Sequence, residues 1–328
     1  MKAVTITDFG GPEKLEFLDA PPPASPKGSE ILVRVKAAGL NRADILQRRG
    51  LYPAPDGVSQ RIPGLEFAGE VVEVGSSANQ FALGDRVMGI TAGEAQAELL
   101  LVDEKLGVPF PATLSWAQAA AIPEVYITAH DAIVTQGQIS KGEWLLIHAV
   151  GSGVGLAALQ IAKLNGAFVI GTSRTADKLD RAVKLGLDRP LETADGAQFA
   201  ASVTEITEGS GADVILDLVG AGYFAENLKA IANKGRVLVI GLTSGRVAEI
   251  DLGVVLSKRV KVIGSALRSR SLDEKAEAVA SFERDLMPFI NEGKLTAEVD
   301  KIFPANEVAE AHRYMESNAN FGKIILEF

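Results

Sequence analysis

The chain has 328 residues and a mass of 34.5 kDa, with 47% hydrophobic and 23% charged residues, which favours a folded protein of two domains and excludes disorder and fibres. It contains no cysteine, which excludes disulfides, thiolate metal sites, iron–sulfur clusters and a cysteine nucleophile. The net charge of −9 disfavours nucleic acid and anionic lipid as partners.

The first part of the chain, up to about residue 123, predicts a β-rich domain. Short segments of apolar and β-branched residues alternate here with Gly and Pro, which is typical of strands joined by turns. These segments are KAVTI, EILVRVKAAG, GLEFAGEVVEVG, GDRVMGI and AQAELLLV.

The pattern then changes to buried strands that alternate with helical segments about every 25 to 30 residues, as in a parallel sheet. We predict strands at 144–149, 167–173, 214–219, 236–242 and 260–265. Helices are predicted at 156–165 and 176–185, and a later helix carries Ala278, Phe282 and Leu286 on one face. KIILEF at the end of the chain predicts a last strand.

No targeting or membrane segment is expected. Asp8 and Gly10 interrupt the N-terminus before any long apolar run, so it does not resemble a signal peptide. The longest uncharged stretch, 144–162, contains His148 and a glycine cluster, which a spanning helix would not normally carry at its centre. We expect a cytoplasmic protein.

A glycine-rich turn follows the strand at 144–149 and precedes a helix. Its sequence AVGSGVG spans 149–155, and Gly153, Gly155 and Ala158 match the GxGxxG/A spacing of dinucleotide-binding folds. Glycine allows the backbone N–H groups and the positive helix N-terminus to approach a pyrophosphate. The residues predicted to bind the cofactor here are Gly151, Ser152, Gly153, Val154 and Gly155.

The next strand predicts the cofactor type. Sites that prefer NAD usually end this strand with an acid that binds the ribose hydroxyls, whereas this chain has Thr172 and Ser173. Arg174 and Lys178 add positive charge that suits a 2′-phosphate, so the expected cofactor is NADP(H). The alternative is that both basic residues are solvated at the start of a helix.

Seven segments together resemble the medium-chain dehydrogenase/reductase superfamily, in particular its zinc-free quinone oxidoreductase (zeta-crystallin-like) branch and the inducible NADPH quinone oxidoreductase subgroup. They are AAGLNRADILQRRGLYP, IPGLEFAGEVVEVG, GDRVMG, AAAIPEVYITAHDAI, LIHAVGSGVG, SALRSR and AHRYMESNANFGKIILEF. The resemblance implies a GroES-like β-rich catalytic domain at 1–125 and 266–328, and a Rossmann domain with a doubly wound parallel sheet at 126–265. It also implies a homodimer or homotetramer.

The resemblance further implies that no metal is bound. In zinc alcohol dehydrogenases of the superfamily the catalytic metal is held by Cys, His and Cys at positions that fall on Asn41, Leu65 and Glu124. Leu65 has no donor atom and Asn41 is a poor zinc ligand, so only Glu66 of that shell is kept. Without a Lewis acid, alcohol oxidation is disfavoured, whereas a quinone already accepts hydride well.

Two residues are catalytic candidates by resemblance. Asn41 is expected beside the nicotinamide ribose or the substrate oxygen, where its amide would donate to a developing oxyanion; otherwise it is a turn residue. Tyr52 is expected in the substrate pocket as a hydrogen-bond partner, with a general-acid role and an inert loop position as the alternatives. Asp44 is expected to cap the following helix rather than orient Arg42.

The resemblance places further residues near the cofactor. Thr128 is expected at the nicotinamide carboxamide, and Gly241, Leu242 and Leu267 beside the nicotinamide. Lys323 is expected near the pyrophosphate, with a surface position as the alternative. Many relatives have a tyrosine on the adenosine phosphate where this chain has Thr193.

The expected activity is reduction of a quinone by NADPH. An enoyl or 2-alkenal double-bond reductase on the same fold is the nearest alternative, since both acceptors take the same hydride. A non-catalytic, crystallin-like NADPH-binding protein is an alternative of another class.

Overall fold

The computed structural model describes residues 1–194 and 196–328 and divides the chain into two compact units. Unit 1 comprises Met1–Ile127 and Leu267–Phe328, and unit 2 comprises Thr128–Ala266. These limits differ by one or two residues from those of the predicted domains.

Unit 1 is built mainly from antiparallel strands. Its strands are β1 (Lys2–Ile6), β2 (Leu15–Asp19), β3 (Glu30–Leu40), β4 (Glu66–Val74), β5 (Arg86–Ile90), β6 (Leu99–Asp103) and β7 (Gly107–Pro109), followed after unit 2 by β14 (Val299–Pro304) and β15 (Lys323–Glu327). Its α-helices are α1 (Arg42–Arg48), α2 (Trp116–Ala120), α9 (Leu272–Asn291) and α10 (Val308–Glu316), and α3 (Pro123–His130) contains the unit boundary. Single 3₁₀ turns lie at Pro12–Lys14, Glu104–Leu106 and Ala305–Glu307.

The main sheet of unit 1 has the order β14-β15-β3-β4-β5-β7, and β6 also pairs with β3. Strand β3 is central because its residues are buried on both faces over most of its length, which suits a strand with neighbours on each side. Apolar residues of β1, β3 and β15 pack with α10 into one core, which includes Ile6, Leu40, Ile324 and Met315. This packing brings the first residue of β15 beside the last residue of β3.

Unit 2 alternates strands and helices. After a π-helical segment (Asp131–Gln136), its elements are β8 (Trp144–Ile147), α4 (Gly153–Leu164), β9 (Phe168–Ser173), α5 (Ala176–Lys184), β10 (Arg189–Glu192), α6 (Ala200–Ile206), β11 (Ala212–Asp217), α7 (Ala221–Ala230), β12 (Ile231–Val239), α8 (Leu252–Lys258) and β13 (Lys261–Gly264).

All pairings in the sheet of unit 2 are parallel, in the order β10-β9-β8-β11-β12-β13. This is the doubly wound dinucleotide-binding topology, and the order reverses between β8 and β11. Crevices at the carboxyl ends of strands at such a reversal are where ligands bind. The predicted fold class, a β-rich domain with a Rossmann domain, is therefore confirmed.

Two details of unit 2 differ from the prediction. Strand β10 was not predicted, because Arg189–Glu192 carries one apolar side chain besides proline and lies at the sheet edge, where no alternation is required. Strand β12 was predicted at 236–242 and in fact spans Ile231–Val239, since Asn233, Lys234 and Gly235 interrupt the apolar pattern without ending the strand.

Helix α4 begins at Gly153, three residues before the predicted start, so the glycine turn already belongs to the first helical turn. Among the described residues, no helix has both the length and the apolar character that crossing a bilayer requires.

Candidate functional site

The glycine turn of unit 2 connects β8 to α4 at the reversal of the strand order. Ser152 is the N-cap of α4, and its hydroxyl accepts a hydrogen bond from the Gly155 backbone N–H at 3.1 Å. A Cβ atom at Gly155 would lie 2.7 Å from the carbonyl oxygens of Ala149 and Val150, so only glycine permits this close packing. The remaining N–H groups of the first helical turn have no acceptor within the helix and suit an anion.

The carboxyl end of β9 carries the residues predicted to bind the ribose phosphate. Ser173 is buried, and its hydroxyl accepts a hydrogen bond from the Thr175 backbone N–H at 3.3 Å. Arg174 is exposed and Lys178 is half-buried in the first turns of the following helix. Thr175 is the N-cap residue of α5, as expected, but its side chain makes no capping hydrogen bond. Both basic side chains therefore lie at the end of the strand, as the phosphate-binding hypothesis requires.

A buried hydrogen-bonded network supports the same strand ends. His148 Nε2 lies 2.6 Å from Asn227 Oδ1, and His148 Nδ1 lies 3.0 Å from the Thr172 hydroxyl. The Asn227 amide donates in turn to Asp217 at the end of β11. Because Asn227 Oδ1 is an acceptor, Nε2 carries the imidazole proton and the Thr172 hydroxyl donates to Nδ1. Burial lowers the pKa of His148 to about 4, so the ring is neutral.

This network was not predicted from the sequence, which gave His148 only a packing role. It fixes the ends of β8, β9 and β11 and engages the hydroxyl of Thr172, a predicted cofactor residue. Gly241 follows β12, and a Cβ atom there would lie 2.5 Å from the Leu218 carbonyl oxygen. Leu242 is exposed and Thr128 half-buried. Their nicotinamide roles stay predictions.

A buried ionic cluster lies in unit 1 where three strand ends meet. Lys323, the first residue of β15, has a side chain only 4% exposed. Its ammonium donates to the Leu40 carbonyl at 3.0 Å, to Asn41 Oδ1 at 2.8 Å and to Glu66 Oε1 at 2.5 Å. The alternative of a surface position for Lys323 was therefore wrong, because the ammonium replaces its hydration shell with three protein oxygens.

Asn41 and Glu66 complete this cluster. The Asn41 amide donates to Glu66 Oε1 at 2.9 Å, and the Glu124 backbone N–H donates to Glu66 Oε2 at 2.9 Å. Glu66 thus accepts from three donors, which matches an ionised carboxylate. The Asn41 amide is held between Lys323 and Glu66, while its expected donation to a substrate oxyanion stays a prediction.

The residues at the metal positions of zinc-dependent relatives do not fit zinc. Leu65 is buried and has no donor atom, and the Lys323 ammonium lies 2.5 Å from the Glu66 carboxylate. A divalent cation near Glu66 would meet this positive charge at short range. The cluster therefore holds a built-in monovalent cation, and we derive no step through a metal.

Asp44 and Glu124 are acids whose protonation the cluster controls. Asp44 is buried; it accepts the backbone N–H groups of Asn41 at 2.7 Å and Gly64 at 3.0 Å, which confirms its capping role at α1. Burial raises the pKa of Asp44 to about 6. Burial and the nearby Glu66 charge raise the pKa of Glu124 to about 8. Glu124 is therefore mostly protonated at neutral pH.

Tyr52 is held by Arg268, a residue of the SALRSR segment to which the sequence analysis gave no role. The Arg268 guanidinium donates to the Tyr52 carbonyl at 3.1 Å and lies 5.1 Å from the centre of the tyrosine ring. It also donates to Gln47 and Ala92, which fixes it between α1 and the loop at 91–95. Burial raises the pKa of Tyr52 above 10, although Arg268 opposes this shift. Leu267 is buried next to this arginine in the chain.

Comparisons with known proteins agree with this architecture. Residues 27–131 match the family described as "Alcohol dehydrogenase GroES-like domain", and residues 153–284 match "Zinc-binding dehydrogenase". A quinone oxidoreductase of Pseudomonas aeruginosa is 34% identical over 99% of both chains. The structure of Escherichia coli quinone oxidoreductase complexed with NADPH is 30% identical, with a TM-score of 0.91 over 100% of both chains. The structure of CurK enoyl reductase is 26% identical, with a TM-score of 0.87 over 99% of this chain and 98% of that one.

We predict that Lys323→Met lowers the free energy of unfolding by about 3–5 kcal/mol, because it leaves the buried Glu66 carboxylate without its cation. Urea denaturation at neutral pH measures the loss, and adding Glu66→Gln should recover part of it. Lys163→Met is the matched control, since Lys163 pairs with Asp188 at 2.7 Å but is 34% exposed. The control should cost less than about 1 kcal/mol. Equal losses in the two variants would contradict a buried ionic cluster.

Proposed function

Because this chain belongs to the quinone oxidoreductase branch of the medium-chain dehydrogenase/reductase superfamily, we propose that it reduces quinones with NADPH. The observation that carries this proposal is the ammonium of Lys323, which lies against Glu66 where zinc-dependent relatives hold a metal. A fixed monovalent cation with saturated hydrogen bonds does not activate an alcohol as zinc does. A quinone needs no such activation, since it is already electron-poor and requires mainly to be positioned.

The cofactor, when bound, supplies a hydride from its nicotinamide C4. The residues proposed to hold its pyrophosphate are those of the glycine turn, Gly151 to Gly155, with Lys323 nearby. Ser173, Arg174 and Lys178, with Thr172 behind them, are proposed to surround the 2′-phosphate. Residues proposed to contact the nicotinamide end are Asn41, Thr128, Gly241, Leu242 and Leu267.

In unit 1, Tyr52 is proposed to bind the acceptor oxygen through its hydroxyl. The Arg268 contact to the Tyr52 carbonyl and ring fixes the loop that carries this tyrosine, which supports a defined orientation. Tyr52 itself is a weak acid here, because burial raises its pKa above 10.

The enoyl-reductase alternative is supported by the likeness to CurK enoyl reductase. Hydride addition to an α,β-unsaturated carbonyl uses the same cofactor, and the following proton goes to carbon instead of oxygen. A cytoplasmic location stays part of the proposal for both activities.

We also infer that the protein forms a homodimer through unit 2. Strand β13 is at the edge of its sheet and pairs only with β12 among the described strands. Large apolar side chains are exposed beside it on α8 and the preceding loop: Val247 is 83%, Leu252 67% and Leu256 80% exposed. An apolar group of this size next to an open edge suits a second copy of the same surface. Pairing of such dimers would give the expected homotetramer.

We expect purified, metal-chelated protein to oxidise NADPH rapidly with 1,4-benzoquinone and slowly with a 2-alkenal. The loss of NADPH absorbance measures both reactions, and NADH is assayed in parallel. Turnover of the alkenal alone would replace the quinone activity by the enoyl-reductase activity. NADPH binding without turnover of either acceptor would indicate a non-catalytic protein.

We predict that Arg174→Ala combined with Lys178→Ala lowers kcat/KM for NADPH by at least about tenfold, because charge-assisted hydrogen bonds to the 2′-phosphate are lost. The kcat/KM for NADH should not change. Lys184→Ala, in the last turn of the same helix, is the control for a general loss of positive charge. An unchanged preference for NADPH in the double variant would show that both residues are only solvated.

We predict that Leu256→Glu converts the dimer to a monomer, since the new charge would have to be buried in the apolar contact. Light scattering after size-exclusion chromatography measures the mass. Leu83→Glu, at a site in unit 1 that is also exposed, is the control and should leave the dimer intact. A wild-type protein that elutes with the mass of one chain would refute the dimer.

A further inference from the structure

Glu124 is an acid at the centre of the unit 1 cluster that has no counter-ion of its own. It follows Pro123 in the first turn of α3, and its backbone N–H donates to Glu66 Oε2 at 2.9 Å. This contact anchors the main chain and leaves the side chain beside the Glu66 carboxylate. In the part of the chain that the structure describes, the Glu124 carboxyl itself makes no hydrogen bond or ion pair. It is partly exposed, so solvent can reach it.

The hydrogen bonds of the cluster decide which acid is charged. All three N–H groups of the Lys323 ammonium are used, and the only carboxylate among their acceptors is Glu66. Arg268 donates to Gln47 and to backbone carbonyls instead of to an acid. The one ammonium in contact with the acids is thus taken by Glu66, and Glu124 is left to hold a proton.

Every charged or titratable group that acts on Glu124 belongs to unit 1. Glu66 of β4 and Asp44 of α1 favour its protonated form, whereas Lys323 of β15 and Arg268 favour its ionised form. Two further groups sense Glu124 in return, Lys275 of α9 and the phenol of Tyr52. Burial is the largest influence and raises its pKa to about 8. A proton donor that works near neutral pH needs such a value.

We propose that Glu124 donates the proton that the acceptor receives when it is reduced. This inference rests on the proposed quinone reduction and adds the source of its proton. Tyr52 binds the acceptor oxygen, and Glu124 lies close enough to the Tyr52 phenol to raise its pKa. The sequence analysis had treated Glu124 only as an altered metal position.

The step balances as follows. The C4–H bond of the reduced nicotinamide breaks, and its hydride carries two electrons to the quinone. The O–H bond of Glu124 breaks, and its proton forms an O–H bond on the quinone oxygen that becomes negative. The products are the hydroquinone, the oxidised nicotinamide and the Glu124 carboxylate. Because the side chain is partly exposed, water reprotonates it before the next turnover.

The test compares Glu124→Gln with Tyr52→Phe over about pH 6 to 10, with saturating NADPH and a quinone under nitrogen. In the wild-type protein kcat should be constant below about pH 7 and fall about tenfold per pH unit above about pH 8, because the protonated acid is the active form. Glu124→Gln should lower kcat about a hundredfold and remove this alkaline decrease. Tyr52→Phe should raise KM for the quinone and keep the alkaline decrease.

Each outcome separates the proposals. A wild-type protein that does not reduce quinones would refute the proposed function, whatever Glu124 does. A wild-type protein that does so, with an unchanged kcat and alkaline decrease in Glu124→Gln, would refute the role of Glu124. Loss of the alkaline decrease in Tyr52→Phe alone would identify the tyrosine as the donor instead.

A stability measurement keeps the test valid if the variant loses activity for structural reasons. The pKa of Glu124 is raised in the folded protein, so its contribution to stability is full below the unfolded value of 4.5 and is lost as pH rises towards about 8. Glu124→Gln cannot ionise, and its melting temperature relative to the wild type should therefore rise between about pH 5 and pH 8. A constant difference in melting temperature would show that Glu124 is ionised and would overturn the proposal. Glu104→Gln, which replaces a buried acid bound to backbone N–H groups, is the control and should give no such rise.

Discussion

The ion pair between Lys323 and Glu66 is the interaction on which the chemistry of unit 1 depends. Two charges that are both almost fully buried are stable only if each is paired and hydrogen-bonded, and here the ammonium and the carboxylate each have three partners. Satisfying them requires the ends of β3, β4 and β15 to meet within hydrogen-bond distance. The pair thereby determines the orientation of Asn41 and the protonation state of Glu124.

Unit 2 has a fixed frame of a different kind. Its network is neutral at the imidazole, since burial keeps His148 uncharged, and only Asp217 at its far end is an acid. The Asp217 carboxylate also accepts the backbone N–H groups of Val219 and Gly220, so it shapes the loop after β11. Three strand ends around the reversal of the sheet are therefore joined by side chains. A dinucleotide that binds there meets a surface that is already ordered, which reduces the entropy lost on binding.

The sequence was sufficient to predict features that depend on local pattern. The βα alternation, the glycine turn with Ser152 and the basic residues after β9 are all visible within short windows, and the resemblance added the GroES-like domain. It was not sufficient for the partners of Lys323, because its contacts to Asn41 and Glu66 join residues more than 250 positions apart. The role of His148 was missed for the same reason. The proton on Glu124 follows from which acid receives the ammonium, which only the three-dimensional contacts reveal.

The discontinuity of unit 1 has a consequence for the order in which the protein folds. Unit 2 is one uninterrupted stretch, Thr128–Ala266, so its strands find their partners over short loops. Unit 1 is split around it, and β15 pairs with β3 across the whole of that insertion. On the ribosome the Rossmann unit therefore collapses first, while β3 and β4 wait with an open edge and an unpaired acid. The arrival of Lys323 closes that edge and neutralises that acid in a single event.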